Sequence, residues 1–237
     1  MSVLRVELHQ LAPFLRSVRG DVFGGHFLSV LALNFSGFEA LINNYENSPA
    51  VVFSSPVILK FSDGWRGHNV YPNRQHSFAD GVWYRRSLTL LAYLDESQLP
   101  LLKFTETLSH LGELGFGGRS SLGYGRFRLV SVEEFPLSNE EKGGTKIFTA
   151  LGPFLPPMDF SGKIYGTPLI HQGHVGGGVA NHRKVPLRMV REGAVIFFPE
   201  SSQVSIFGRG ESRLSSHFGG KGVHQGHTLV LPYVTAN

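Results

Sequence analysis

The stretch Gly115-Phe116-Gly117-Gly118-Arg119-Ser120-Ser121-Leu122-Gly123-Tyr124-Gly125-Arg126-Phe127 joins a main-chain donor array to two arginines and a tyrosine. Glycines let successive N–H groups approach anionic oxygens with no Cβ in the way, Arg119 and Arg126 supply charge, and Ser120 and Ser121 offer hydroxyls to phosphate. Tyr124 presents a face on which a base can stack. The combination reads as a grip on a nucleic-acid backbone built from Gly115, Gly117, Gly118, Arg119, Ser120, Ser121, Gly123, Tyr124, Gly125 and Arg126. Six glycines between 112 and 125 exceed what a connecting turn needs.

In a dinucleotide or phosphate loop the glycines follow a strand and open a helix, so that the helix N-terminus faces the phosphate. Here the order is reversed. Leu101, Phe104, Leu108 and Leu111 recur at helical spacing upstream, Pro100 suits a first turn, and Gly112 and Gly115 can end the helix. Phe127, Leu129, Val130 and Val132 then read as a strand. Helix, glycine loop, strand argues against a Rossmann site, and no G-x-x-x-x-G-K-[ST] occurs.

Other chemistry is less well supported. His171 and His174, with His182 or with His224 and His227, invite a metal site. An i, i+3 pair on a strand points to opposite faces, however, and no carboxylate lies near them in sequence, so no metal and no cofactor is expected. The tetrapeptide His-Gln-Gly-His, at 171–174 and 224–227, has different flanks each time and reads as coincidence. Metal-independent RNA cleavage could draw on His26, Tyr124 and Lys60. Asp95-Glu96 and Glu133-Glu134 are adjacent pairs that a strand sends to opposite faces, which suits solvated residues better than paired acid and base. Ser54-Ser55 could meet phosphate but sits in no G-x-S-x-G elbow. With no cysteine, disulfides, thiolate ligands and cysteine nucleophiles are excluded.

The elements that must position the loop follow the order βαββαβ. They are a strand near 2–10, a helix near 21–33, extended pieces near 51–60, a strand near 82–94, a helix near 100–112 and a strand near 126–134, which suits an RRM-like or ferredoxin-like domain over 1–136. Alternation in the fourth piece, with Leu88, Leu90, Leu91 and Tyr93, is imperfect. A polar insertion between Phe61 and Gly81 carries Trp65, Arg66, His68, Tyr71, Arg74 and His76, and its length of about 20 residues is unusual for a loop without function. Arg66 and Arg74 are candidate RNA contacts. Residues 137–146 read as a linker, and 147–237 as a β-rich unit with strands near 146–151, 163–170, 185–198, 203–208 and 223–234.

The 237 residues are 41% apolar, enough for a packed core, and carry a formal charge of +4, with a pI of about 9.4. Arg119, Arg126 and Arg128 and the run Arg183, Lys184, Arg188, Arg191 lie in neighbourhoods nearly free of acids, which fits a polyanionic partner. No run of about 18 apolar residues appears, so no membrane partner is expected and the cytoplasm is the default location.

The loop also resembles the glycine-rich loop of the RAMP superfamily, the RRM-like proteins of CRISPR effector ribonucleoproteins. The resemblance extends to Leu4-Arg5-Val6-Glu7-Leu8, Asp21-Val22-Phe23-Gly24-Gly25, Val52-Phe53-Ser54-Ser55-Pro56, Tyr165-Gly166, Arg191-Glu192-Gly193-Ala194-Val195 and Gln225-Gly226-His227-Thr228-Leu229-Val230-Leu231-Pro232. It points to the Cas-five group and, within it, to the Csm-four type of type III-A complexes. Gly24-Gly25 departs from the pattern, standing where a bulkier helix start is expected. The resemblance implies an α+β chain of tandem RRM-like domains with a degenerate second copy. It also implies a non-catalytic role in binding the 5′ tag of the guide RNA (crRNA), beside a Cas-ten-type large subunit and a repeated Cas-seven-type backbone subunit. The 61–81 insertion would be a thumb-like hairpin that bends the RNA. A repeat-processing endoribonuclease of the same superfamily and an unrelated ferredoxin-like RNA-binding module are the alternatives.

Overall fold

Period-two alternation in three strands of the first half accounts for its architecture. In β1 (Ser2–Gln10) the side chains of Leu4, Val6 and Leu8 enter one apolar cluster while Val3 enters another. In β2 (Val51–Phe53), Val51 and Phe53 face the first cluster and Val52 the second. Opposite faces of one sheet are therefore both apolar, as strand geometry requires when alternate residues point opposite ways. The same holds in β5 (Ser87–Leu94), where Leu88, Leu90, Ala92 and Leu94 face one side and Leu91 and Tyr93 the other. This explains the imperfect alternation there: both faces of the strand are covered.

The computed structural model describes residues 2–14, 18–60, 69–72, 87–117, 119–135, 145–172, 184–202, 204–212 and 223–233. Between β1 and β2 run α1 (Gly20–Asn34) and a short α2 (Phe38–Asn44), and β3 (Val57–Lys60) pairs with β4 (Asn69–Pro72). After β5 come α3 (Leu101–Leu114), the glycine loop and β6 (Phe127–Glu134). The sheet runs β4-β3-β5-β1-β6 with β2 also on β5, and neighbouring strands pair antiparallel. Counting β2 and β3 as one interrupted strand, this is the 4-1-3-2 order of a βαββαβ unit.

Helices α1 and α3 cover one face. Phe23, Phe27, Phe53 and Phe104 form the centre of that layer, with Phe53 ring centroids 5.0 Å from Phe23, 5.2 Å from Phe27 and 5.8 Å from Phe104. Of the apolar positions read as the α3 stripe, Phe104, Leu108 and Leu111 are buried and Leu101 is exposed. Gly112 is an interior helix position, where a Cβ would meet the main chain and ring of Phe127, so it sets the close approach of α3 to β6.

The second half is β-rich, with no helix among the described residues. Strands β7 (Thr145–Ala150), β8 (Lys163–Tyr165), β11 (Val195–Ser202), β12 (Ile206–Gly208) and β13 (His227–Pro232) form a sheet in the order β12-β13-β7-β11-β8, and β9 (Pro168–His171) pairs with β10 (Leu187–Val190). Two stretches read as single strands are each two: 163–170 breaks at Gly166 and Thr167, and 185–198 breaks at a turn where Gly193 has φ 82°. Residues 136–144 lie outside the described ones, while Thr145 and Lys146, read as linker, already belong to β7. The combination of two RRM-like layers, the second degenerate and β-rich, gives an α+β fold.

The second unit covers the other face of the first sheet. Leu151, Leu229 and Leu231 pack with Val3, Val52, Val57, Leu91, Tyr93 and Phe135 in one cluster. Polar contacts also join the second unit to the first. The Tyr45 hydroxyl lies 2.6 Å from the Val51 carbonyl and 3.2 Å from Gln225 Oε1, and the Ser55 N–H donates to the Leu151 carbonyl at 2.8 Å. Gly24 faces this network: a Cβ there would collide with the Gln225 amide. The missing bulk at the start of α1 is thus space for a side chain of the second unit. No described helix is long and apolar enough to cross a membrane.

Candidate nucleic-acid interface

The glycine loop leaves α3 through Gly115, at φ 86° and ψ 150°, whose N–H still donates to Leu111 at 2.9 Å. It re-enters the sheet through Gly125, at φ 74°. The two ends are tied together, since the Phe116 N–H donates to the Gly125 carbonyl at 2.9 Å. Gly125 donates in turn to the Pro13 carbonyl at 2.9 Å, and the Arg126 carbonyl accepts from Leu11 at 2.9 Å and Ala12 at 3.1 Å. The loop therefore stands on a closed hydrogen-bonded neck. Phe116 plugs that neck from below, with ring centroids 5.7 Å from Phe14, 5.4 Å from Phe23 and 5.1 Å from His26.

Above the neck the backbone turns through a run of left-handed residues. Gly117 has φ 85°, Arg119 has φ 60° and ψ 25°, a single 3-10 turn spans Ser120–Leu122, and Gly123 has φ 86° and ψ 4°. Arg119 is the non-glycine residue with positive φ among those described, a conformation uncommon for such a side chain and concentrated at functional sites. The glycines divide by role. A Cβ on Gly115 or Gly125 would strike the loop's own main chain, at Tyr124 O and Phe116 O respectively, whereas Gly117 and Gly123 have nothing within 4 Å. The first pair closes the neck; the second leaves main chain open to an approaching ligand.

Arg119, Ser121, Leu122, Gly123 and Arg126 are exposed, Ser120 and Tyr124 half-buried. Arg128, exposed on β6, continues the basic face. No carboxylate among the described residues pairs with Arg119, Arg126 or Arg128. Surface charges without intramolecular partners keep their full field for a polyanion. Gly118, Arg66 and Arg74 lie outside the described residues, and so does most of the 61–81 insertion, of which β4 pairs with β3.

The other sequence candidates disperse. Ser54 and Ser55 are buried, their hydroxyls accepting from Leu91 N at 2.8 Å and Gly20 N at 3.3 Å, so they are joints of the sheet and not phosphate ligands. Asp95 accepts from Ser97 and Gln98 in the turn before α3; those hydrogen bonds hold its carboxyl below the usual range. Glu133 pairs with Arg5 across β1 and β6. His26 packs on Phe116, and burial, aided by the Lys184 charge, lowers its pKa.

The histidines behave differently from the reading of their sequence. His171 and His224, the first residues of the two His-Gln-Gly-His segments, meet with ring centroids 4.3 Å apart, and Asp21 of α1 joins them. A carboxylate distant in sequence is thus adjacent in space. All three are buried, at 7%, 3% and 2% exposure for His171, His224 and Asp21. Burial works to raise the Asp21 carboxyl, yet the His171 hydrogen bond and the Arg19 charge together hold it below its ordinary value. Burial lowers His224 to about 3 against the pull of Asp21, and lowers His227 to about 4. His174 and His182 lie outside the described residues.

No family model matches the chain, and no curated protein matches it. Solved structures do. A chain of the Csm3-Csm4 subcomplex of the type III-A CRISPR-Cas interference complex superposes with a TM-score of 0.56 at 12% identity, over 99% of this chain and 100% of that one. A chain of the Csm1-Csm4 cassette in complex with pppApA gives 0.53 at 12% identity, over 100% and 99%. The same cassette in complex with cA4 gives 0.53 at 11%, over the whole of both chains. Csm4 is the component common to these structures, and the match spans both halves, including the β-rich one. In fold, the chain is similar over its whole length to a component of these Csm4-containing assemblies.

Proposed function

We propose that this chain is a non-catalytic guide-RNA-binding subunit of a type III CRISPR effector complex, holding the repeat-derived 5′ tag of the guide. The observation that carries the reading is the glycine loop itself: left-handed main chain at Gly117, Arg119 and Gly123 held open on a closed neck, with arginines around it that pair with no carboxylate among the described residues. Open main chain and arginine suit phosphate, and Tyr124 at the loop's shoulder suits an unstacked base. The proposed protein partners are a Cas-ten-type large subunit and the repeated Cas-seven-type backbone subunit; the similar structures were solved with Csm1 and with Csm3. Arg66 and Arg74, on the insertion, would extend the RNA path as parts of a thumb.

The direct test is a labelled repeat RNA incubated with the purified protein without metal. Engagement of about four phosphates should give a slope of log K on log salt of roughly −3, and the RNA should stay intact. A salt-independent affinity removes the phosphate grip. Repeat-specific cutting that disappears in His26→Ala replaces the proposal with the endoribonuclease reading.

A second measurement separates the loop from bulk charge. Gly117→Val and Gly123→Val each place a Cβ-branched residue at φ 85° and 86° in open space, so the folding cost is backbone strain of about 1 kcal/mol or more, with no steric collision added. Both should cost guide affinity more than Arg128→Ala does. If both valine variants keep wild-type affinity, the loop is only a connector.

A further inference from the structure

We propose that Asp21, His171 and His224 form a site for a divalent transition-metal ion of zinc's class, which ties the start of α1 to the second unit. The donor set is two imidazoles and one carboxylate, buried, with ligand atoms all within 4.8 Å of one another. His171 Nδ1 lies 3.1 Å from Asp21 Oδ2 and His224 Nε2 lies 3.9 Å from it. Tetrahedral ligands with bonds of about 2.1 Å stand roughly 3.4 Å apart, so these three atoms need only small adjustments to share one ion. Two imidazoles in a buried site favour zinc-class ions over magnesium or calcium, which prefer oxygen and water.

Two independent features show that the described protein groups leave this cluster unsatisfied. Asp21 Oδ1 and His224 Nε2 are buried with no hydrogen-bond partner among the described residues, although buried polar atoms normally have one. The second feature is a conflict at His171 Nδ1, which lies 2.8 Å from Arg19 NH2 and 3.1 Å from Asp21 Oδ2. A protonated Nδ1 suits the carboxylate and opposes the guanidinium; a bare Nδ1 does the reverse. A cation bound by Nδ1, Oδ2 and Nε2 removes the conflict, because all three then act as electron-pair donors.

Arg19 holds the place of that cation. Its guanidinium is 3.0 Å from Asp21 Oδ2, and its side chain is 23% exposed, so it can swing outward as an ion enters. The ligands themselves are fixed by main chain: Asp21 in the first turn of α1, His171 opposite Leu187 in the β9–β10 pair, and His224 in a two-way backbone bridge with Glu211 at 2.9 and 3.2 Å. Lys184 is the other cation facing Asp21, and burial lowers its pKa. One end of the clamp is therefore the helix that carries Phe23 and His26 beneath the glycine loop, and the other end is the second unit.

The test uses the full chain, stripped with chelator and titrated with Zn²⁺ and with Co²⁺, whose ligand-field bands report tetrahedral nitrogen and oxygen ligation. One equivalent should bind, with a rise in melting temperature. Asp21→Asn and His224→Gln should each weaken binding by at least about tenfold, His110→Ala on the exposed side of α3 should leave it unchanged, and Arg19→Ala should tighten it. Tightening on loss of an arginine is a result that scattered surface histidines cannot give. The proposal is overturned if no single equivalent saturates, or if affinity is indifferent to Asp21→Asn and His224→Gln. Should those two variants fail to fold, an unchanged affinity in Arg19→Ala overturns it instead.

Discussion

Gly125→Val is expected to destabilise the protein by about 4 kcal/mol or more, enough to unfold a marginal domain. Two costs combine. The residue sits at φ 74°, where a branched side chain is strained, and its Cβ would lie 2.6 Å from Phe116 N and collide with Phe116 O. The obstructing atoms are main chain belonging to the neck, so they cannot rotate aside. Relief requires breaking the Phe116–Gly125 bond at 2.9 Å and withdrawing Phe116 from Phe14, Phe23 and His26. Denaturant unfolding monitored beside RNA binding should show both lost together, in contrast to Gly117→Val and Gly123→Val, where binding falls and the fold persists. A Gly125→Val protein as stable as wild type would show that the neck is not closed as described.

Phe53→Ala should cost about 3–5 kcal/mol, the range for deleting a fully buried aromatic side chain. Phe53 is 0% exposed and touches Phe23, Phe27 and Phe104, so three rings lose their common neighbour. The residue also serves the other unit through its carbonyl, which accepts from Gln225 Nε2 at 3.5 Å. That main-chain contact survives the substitution. The loss should therefore appear as lowered denaturation midpoint with an unchanged denaturant slope, because both units still unfold together. A reduced slope would mean that the two halves had uncoupled.

Much of the first half was legible because its elements are long and regular. The helix around Phe23 and Phe27, the helix around Phe104 and Leu108, and the strand starting at Phe127 agree with the structure within a few residues. The short helix Phe38–Asn44 was not read, since Gly37 precedes it and Asn43, Asn44 and Tyr45 look like turn residues. In the second half, strands of three or four residues such as Lys163–Tyr165 and Ile206–Gly208 leave too few alternations to fix a boundary. The glycine loop could be picked out because its whole chemistry is contiguous. The Asp21, His171 and His224 cluster could not, for the opposite reason: Arg19 and His171, which touch within it, are 152 positions apart. Periodicity reports which way a side chain faces, and says nothing of which distant element will face it.

The cluster shared by both units bears on how the chain is made. Leu229 and Leu231 lie on the last described strand, and they cover Val3, Val52, Leu91 and Tyr93 near the beginning. During synthesis the first sheet can form and receive its helices long before β13 exists, since domains tend to fold in the order they emerge. Its rear face stays wet and apolar throughout that interval. A nascent chain stalled before residue 227 would display those side chains to chaperones or to other nascent copies, and closure would wait for the strand that carries Leu229 and Leu231. Synonymous changes that slow translation of β13 should therefore lower the yield of folded protein without altering a single contact in it.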